Sequence, residues 1–276
     1  MKVIISRKGF DSSSSGYPSP ILEDGTLLSL PIPDPDSLVS YHHLTSREKN
    51  YFDYMKSINN TIKLKNNWKE LDETITCHLD PDLDANTLKR EKGWKGVFGQ
   101  SGAAQRHLEN QGVEEGDLFL FFGWFRNTIV KGDRILFDPQ DKKGRHIIYG
   151  YLQIGEIHKV DSAFNIPKWM SDHPHVTPQK REKERNTIYV ARDSLNWCEN
   201  TPGYGTFNFH ERRVLTKQGM NKSCWDLPDI FKDRSISYHK PSSWKEGYFQ
   251  SVARGQEFVV ESDESVLQWA KELIHT

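Results

Sequence analysis

A chain of 276 residues with 37 Lys and Arg against 38 Asp and Glu carries a net charge of −1, which excludes a protein that holds nucleic acid by bulk positive charge alone. The apolar fraction is only 36%, but 12% aromatic residues supply bulk for a core, and the length suits one large domain spanning 1–276. No apolar run nears the roughly 18 residues that cross a bilayer, and MKVIIS is too short for a secretion signal. Cys77, Cys198 and Cys224 form no CxxC pair, so neither structural zinc nor a disulfide framework is expected. The expectation is a cytoplasmic protein with no membrane partner, metal or cofactor.

KVIIS (2–6) is a β-branched run that reads as a buried strand. RKGFDSSSSGYPSP (7–20) follows. ILEDGTLLSL then sets a DG turn between two apolar runs, a hairpin signal, and Pro31, Pro33 and Pro35 force an extended exit. Residues 46–65 place Tyr51, Tyr54, Met55, Ile58 and Ile62 at helical spacing, with Ser46 as N-cap. GQSG (99–102) leads into the helix AAQRHLENQ, with Gly112 where a C-cap belongs. LFLFFGWF (118–125) lacks any polar side chain, so its strand is buried on both faces or walls a barrel. After the DKKG turn a long strand is interrupted by Gly150 and Gly155, where bulges or bends are expected. Residues 168–187 are polar, carry Pro174 and Pro178, and read as a loop or insertion. NTIYVA and GTFNFHERRVLT read as strands, and DESVLQWAKELIH as a terminal amphipathic helix. The mixed order predicts an α+β fold: one domain with a bent or barrel-like central mixed sheet flanked by helices.

Four groups of residues could carry chemistry. In CHLDPDLD, extended backbone would turn His78, Asp80, Asp82 and Asp84 the same way, which suits carboxylate catalysis or a hard metal. The spacing imitates a calcium loop, but Ala85 stands where that loop needs glycine, and the competing reading is a solvated acidic turn. Gln100 and Gln105, around a glycine-bracketed helix start, offer the donor-plus-acceptor amides that read base edges. Trp124, Phe125 and Arg126 combine rings for stacking with a guanidinium for phosphate, although either ring alone is more simply core. In the opening stretch Arg7 and Lys8 suit phosphates, Asp11 suits base chemistry or cation stabilisation, and Ser12, Ser13 and Ser14 add hydroxyls. The Walker, GxGxxG, GxSxG, HExxH and zinc-deaminase signatures are all missing.

Taken together, RKGFDSSSSGYPSPI, LPIPD, HLDPDL, FGQSGAAQRHL, GDLFLFFGWFR, SCWDLP and GQEFV resemble, in this order, the nucleotide-modification-associated domain 3 family. The resemblance covers about residues 4–260 and implies a substrate drawn from hypermodified bases in phage and bacterial DNA. GDLFLFFGWF with IIYGYLQIGEI is also similar to strands of PUA-like EVE and ASCH barrels, which hold a flipped or modified base.

These observations lead to the expectation of a DNA-binding protein that flips a modified base and cleaves its N-glycosidic bond, a hydrolase (DNA glycosylase) serving phage defence. Asp11 is the first catalytic candidate, with Asp80 and Asp82 next. Arg7, Lys8, Ser12, Ser13 and Ser14 would hold phosphates. Gln100, Gln105, Trp124, Phe125, Arg126, Gln256 and Glu257 would line the base pocket. The alternatives are a modified-base reader without catalysis, a base-modifying transferase, and a metal-dependent nuclease built on Asp80, Asp82 and Asp84.

Overall fold

In the computed structural model, residues 1–12, 14–65, 67–252 and 255–276 are described. Nine strands form the main sheet: β1 (Val3–Arg7), β2 (Ser19–Ile21), β3 (Val97–Gln100), β4 (Leu118–Lys131), β5 (Arg134–Phe137), β6 (Arg145–Lys159), β7 (Thr187–Ala191), β8 (Tyr204–Thr206) and β9 (Glu257–Val260). The order is β9-β1-β4-β6-β7-β3, with β2 and β5 also on β4 and β8 on β6. β1 and β2 run parallel to β4, while β4–β6, β6–β7 and β7–β3 are antiparallel, so the sheet is mixed. The path runs open from β9 to β3. The fold is α+β, and the sheet does not close into a barrel.

β4 explains why eight consecutive apolar residues suit this centre. Leu118, Leu120 and Phe122 face one core with Trp225, Phe258 and the terminal helix. Phe119, Phe121 and Phe125 face the other with Phe98 and Tyr189. Burying each such side chain is worth about 1.5–3 kcal/mol, and alternation would waste one face. The long β6 bends as its glycines predict. Its register shifts between Ile148 and Gly150, and again between Ile154 and Glu156 around Gly155. At Gly155 a Cβ would stand 2.9 Å from the Arg192 nitrogen, and at Gly150 it would stand 2.7 Å from Leu83 Cδ1, so neither position admits a side chain unless its neighbour moves.

Among the described residues four helices accompany the sheet: α1 (Tyr51–Ile58), α2 (Gly102–Asn110), the single-turn α3 (Pro178–Arg181) and α4 (Glu264–His275). α1 is shorter than the spacing predicts. Asn50, not Ser46, caps it by accepting from the Asp53 amide at 2.7 Å. Asn59 Oδ1 accepts from the Thr61 amide at 3.2 Å, and Thr61–Leu64 leaves the helix to pair with Asn67–Glu70. Local side-chain bonds from asparagine outcompete the helix there. Asp263 caps α4 through the Val266 amide, and Gly112 ends α2 at φ 61°. Among the described residues no helix is long and apolar enough to cross a membrane.

A third core, built from Phe10, Tyr17, Tyr41, Phe52, Met55 and Cys77, packs the N-terminal segments together. The proline-rich exit runs extended through it: Tyr41 donates its hydroxyl to the Pro31 carbonyl, and Pro33 bridges Cys77. A fourth core joins Val97, Val160, Met170, Val176, Ile188 and Val190 beside β3. Residues 168–187 are therefore more than a polar surface loop. They form two 3-10 turns and α3, and 173–177 are buried throughout.

Candidate functional site

The site lies where the N-terminal core meets β3. The Cys77 amide pairs with the Val39 carbonyl and the His78 amide with Ile32, which carries the HLDP segment beside the proline-rich exit. This sets His78 Nδ1 2.7 Å from Asp34 Oδ2. Two residues on, Asp80 turns its carboxylate, 3% exposed, inward against β3, where the Gly99 amide donates to Oδ1 at 2.7 Å. The His173-Pro174-His175 turn closes the far side. His173 Nε2 lies 3.3 Å from Asp80 Oδ1 and His175 Nε2 3.8 Å from Oδ2, while His78 Nε2 lies 3.7 Å from the same Oδ2. Gly99 is obligatory here, because a Cβ would sit 2.4 Å from the His175 ring.

The outer hydrogen bonds decide which ring nitrogens carry protons. Asp34 accepts at His78 Nδ1, so that nitrogen bears the hydrogen and, in the neutral ring, Nε2 presents a lone pair. Asn186 donates both amide hydrogens, to the Val160 and His175 carbonyls, so its Oδ1 accepts from His175 Nδ1 at 2.6 Å. His175 Nε2 therefore also presents a lone pair. His173 is the reverse: its Nδ1 accepts from the His175 amide at 3.3 Å, leaving the hydrogen on Nε2. That hydrogen is close to Asp80 without being aligned for a hydrogen bond, and Nε2 is buried with no bonded partner.

Burial alone would raise the Asp80 carboxyl pKa, but the close approach of His173 and the charges of His175, His173 and His78 outweigh it and hold the group well below the usual carboxylate range. Asp34 follows the same logic: burial opposes ionisation, and the His78 bond and charge prevail. His175 goes the other way, pushed down to about 3 by burial despite Asp80 beside it. The arrangement is an anionic carboxylate facing the neutral His175 imidazole, with the His78 and His173 rings beside it.

A cleft of about 90 Å³ opens beside Asp80, walled by Leu27, Leu28, Leu83 and Phe207 and reached by Tyr149. At liquid density that is room for about three waters. Tyr149 is the extra residue at the first β6 shift, and this bulge turns it out of the ladder toward the cleft. Burial pushes its phenol well above its ordinary pKa, so it stays a hydrogen-bond donor.

The remaining candidates fall in other settings. Asp82 lines the same cleft and feels the charge of His173, but it exchanges backbone bonds with Val97 and takes a two-pronged ion pair from Arg90, at 2.7 and 2.5 Å. Burial raises its pKa and Arg90 opposes that. Asp11 closes its own turn: Oδ1 accepts from the Ser14 amide at 2.7 Å and hydroxyl at 2.9 Å, and the carbonyl accepts from Ser15 and Gly16. The cations that act on it are Arg7 and Lys222. Ser12 is exposed and offers its carbonyl to Lys63 at 3.4 Å; Ser13 lies outside the described residues. Arg7 donates to the Val252 carbonyl and lies over the Phe122 and Phe258 rings. Lys8 turns inward to Glu257 at 2.7 Å and over the Phe98 ring.

Of the seven residues expected to line a base pocket, Gln100 and Glu257 meet, at 2.7 Å, with Lys8 as third partner. Glu257 Oε2 is buried with no bonded partner. Gln105 accepts from the Tyr189 hydroxyl, and Gln256 contributes its carbonyl to the Arg7 amide. Phe125 is fully buried core. Arg126 donates to the Asp138 carbonyl over the Phe137 ring. Trp124 remains half-buried with Lys222 3.3 Å above its ring, at the edge of a groove of about 790 Å³ where Lys142, Lys143 and Lys217 meet Asp138, Asp141 and Glu211.

Sequence reasoning missed His173, His175, Asp34 and Tyr149 as site residues, and grouped His78 with Asp80, Asp82 and Asp84 rather than with them. The signal was HPH: two histidines bracketing a proline are costly in a solvated loop's place only if they are buried, and nothing local reveals burial. The motif nevertheless supplies two imidazoles at fixed spacing.

A family model for nucleotide modification associated domain 3 matches residues 2–261. Neither a curated protein nor a solved structure matches the chain. The match runs from β1 through β9, taking in the Asp80 cluster, the cleft and the Lys8–Gln100–Glu257 group, and stops before α4. The chain belongs to the nucleotide modification associated domain 3 family, and its function is related to nucleotide modification.

Proposed function

We propose that the protein acts on DNA carrying a hypermodified base and hydrolyses the N-glycosidic bond at the cleft beside Asp80. The observation that carries this reading is a buried carboxylate, held anionic, at a water-sized cleft and backed by three imidazoles. An oxocarbenium-like sugar is stabilised by such a carboxylate. Water adds to C1′ as the C1′–N bond breaks. The base leaves with the bonding electron pair and takes up one proton, and the other water hydrogen stays on the new sugar hydroxyl. An imidazole beside Asp80 would take that proton from the water and pass it on to the departing base, the Asp80 carboxylate would stabilise the cationic sugar, and the Tyr149 hydroxyl would donate a hydrogen bond to the incoming nucleotide.

The base must leave the stack to reach the cleft, at a cost of a few kcal/mol that stacking and edge contacts offset. Trp124 and the lysines of the neighbouring groove suit an unpaired base and its backbone. Gln100 and Glu257 suit a base edge. Restriction of phages with modified genomes is the setting this chemistry fits.

The test is to incubate the protein with modified and unmodified phage DNA, then read released base by mass spectrometry and abasic sites by alkali cleavage. Modified DNA is expected to yield both. Tight binding with all bases retained would contradict hydrolysis and leave a reader, and equal attack on unmodified DNA would remove the modified-base specificity.

A further inference from the structure

The two oxygens of Asp80 differ. Oδ1 receives the Gly99 amide at 2.7 Å and has the His173 N–H 3.3 Å away. Among the described residues no donor bonds Oδ2. It faces His78 Nε2 at 3.7 Å and His175 Nε2 at 3.8 Å, and in the neutral rings both nitrogens present lone pairs because their Nδ1 hydrogens are committed to Asp34 and Asn186. Three electron-rich atoms thus converge in a buried space with no hydrogen between them. One ligand atom from each residue lies within 4.8 Å of the others. Three lone pairs repel one another unless a cation sits among them.

We propose that His78 Nε2, His175 Nε2 and Asp80 Oδ2 bind a divalent transition-metal ion. Two imidazoles and one carboxylate suit zinc or iron(II) rather than magnesium or calcium, which prefer all-oxygen sites. The outer shell is already built: Asp34 and Asn186 fix the tautomers and aim the rings, and Gly99 and His173 hold the carboxylate. Lys180 Nζ lies 4.0 Å from Asp34 Oδ2. Three protein ligands leave a coordination position open, as in catalytic metal sites, and a bound ion lowers the pKa of its water toward 7. The inference rests on the hydrolytic reading of this cleft only for what that water does, and the binding itself stands apart from activity.

The experiment titrates chelator-stripped full-length protein with Zn²⁺ by calorimetry, with Mg²⁺ as contrast, and reads Co²⁺ binding by visible absorption. Wild type is expected to take one Zn²⁺ per chain and no Mg²⁺. His78→Ala and His175→Ala should lose that site, and the near-isosteric Asp34→Asn, checked for native circular dichroism, should weaken it about 10–100-fold. No Zn²⁺ binding by wild type, or equal affinity in His175→Ala and Asp34→Asn, would overturn the proposal. The two readings separate cleanly. Stoichiometric metal without base release sinks the glycosylase reading alone, whereas base release by protein that binds no Zn²⁺ sinks the metal alone.

Discussion

Asp11 and Asp80 look alike in sequence, each an aspartate in a short polar motif, but their surroundings differ. Asp11's carboxylate is bonded by Ser14, three residues away, and its carbonyl by Ser15 and Gly16. Asp80 is met by β3, by the 173–175 turn and by His78, which is itself held from Asp34. The first is a turn closed by its own segment, with the charges of Arg7 and Lys222 acting on it. The second is an assembly of four chain segments at the junction of two cores. Polar groups that satisfy their neighbours in sequence build structure, whereas a carboxylate buried against distant imidazoles costs desolvation and needs a functional reason.

The comparison can be broken in several places. Asp82, two residues past Asp80, should behave as structure. Arg90→Ala would leave its carboxylate buried without its cation and should cost about 3–5 kcal/mol in urea unfolding, the largest effect expected. Cutting the cluster without touching a charge is the sharper test. Gly99→Ala drives a Cβ into the His175 ring and should cost about 1–3 kcal/mol, with base release falling more than stability explains.

Acid should distinguish the Asp11 side through His146. Its Nδ1 accepts from Trp225 Nε1 at 3.0 Å; burial, then Arg7 and Lys222, push its pKa well below the ordinary value. A folded pKa below the unfolded one, near 6.5, means stability is complete above about pH 6.5 and declines as pH falls, by up to about 1.4 kcal/mol per unit for one proton. Unfolding at pH 7.5 and 5.5 should show that decline, and His146→Gln, which keeps an acceptor for Trp225, should shallow it. Asp11→Ala should cost least, about 1 kcal/mol, the worth of its turn bonds.

Much of the fold was legible because it is written locally. The unbroken apolar run of β4, the glycines at the β6 shifts, and the terminal amphipathic helix follow from periodicity and bulge rules. α1 was overextended because its apolar spacing continues past Asn59, where the asparagine side chain ends it. The site was legible only in part. Asp80, Gln100 and Glu257 carry recognisable chemistry, but alternation along HLDPDLD misdirects, since Asp82 turns to Arg90. His175 lies 95 residues beyond Asp80 in a stretch whose composition reads as a loop, and only tertiary packing makes it a partner.

Base release from modified phage DNA by Asp80→Asn and Asp11→Asn, compared with wild type at saturating DNA, decides which aspartate carries the chemistry. Asp80→Asn keeps the shape and removes the charge, and should lose about 10²–10⁴-fold in rate. Asp11→Asn should stay within about tenfold, because an asparagine oxygen still accepts from Ser14. An Asp11→Asn enzyme that is dead beside an active Asp80→Asn enzyme would contradict the account and move the chemistry to the serine-rich turn.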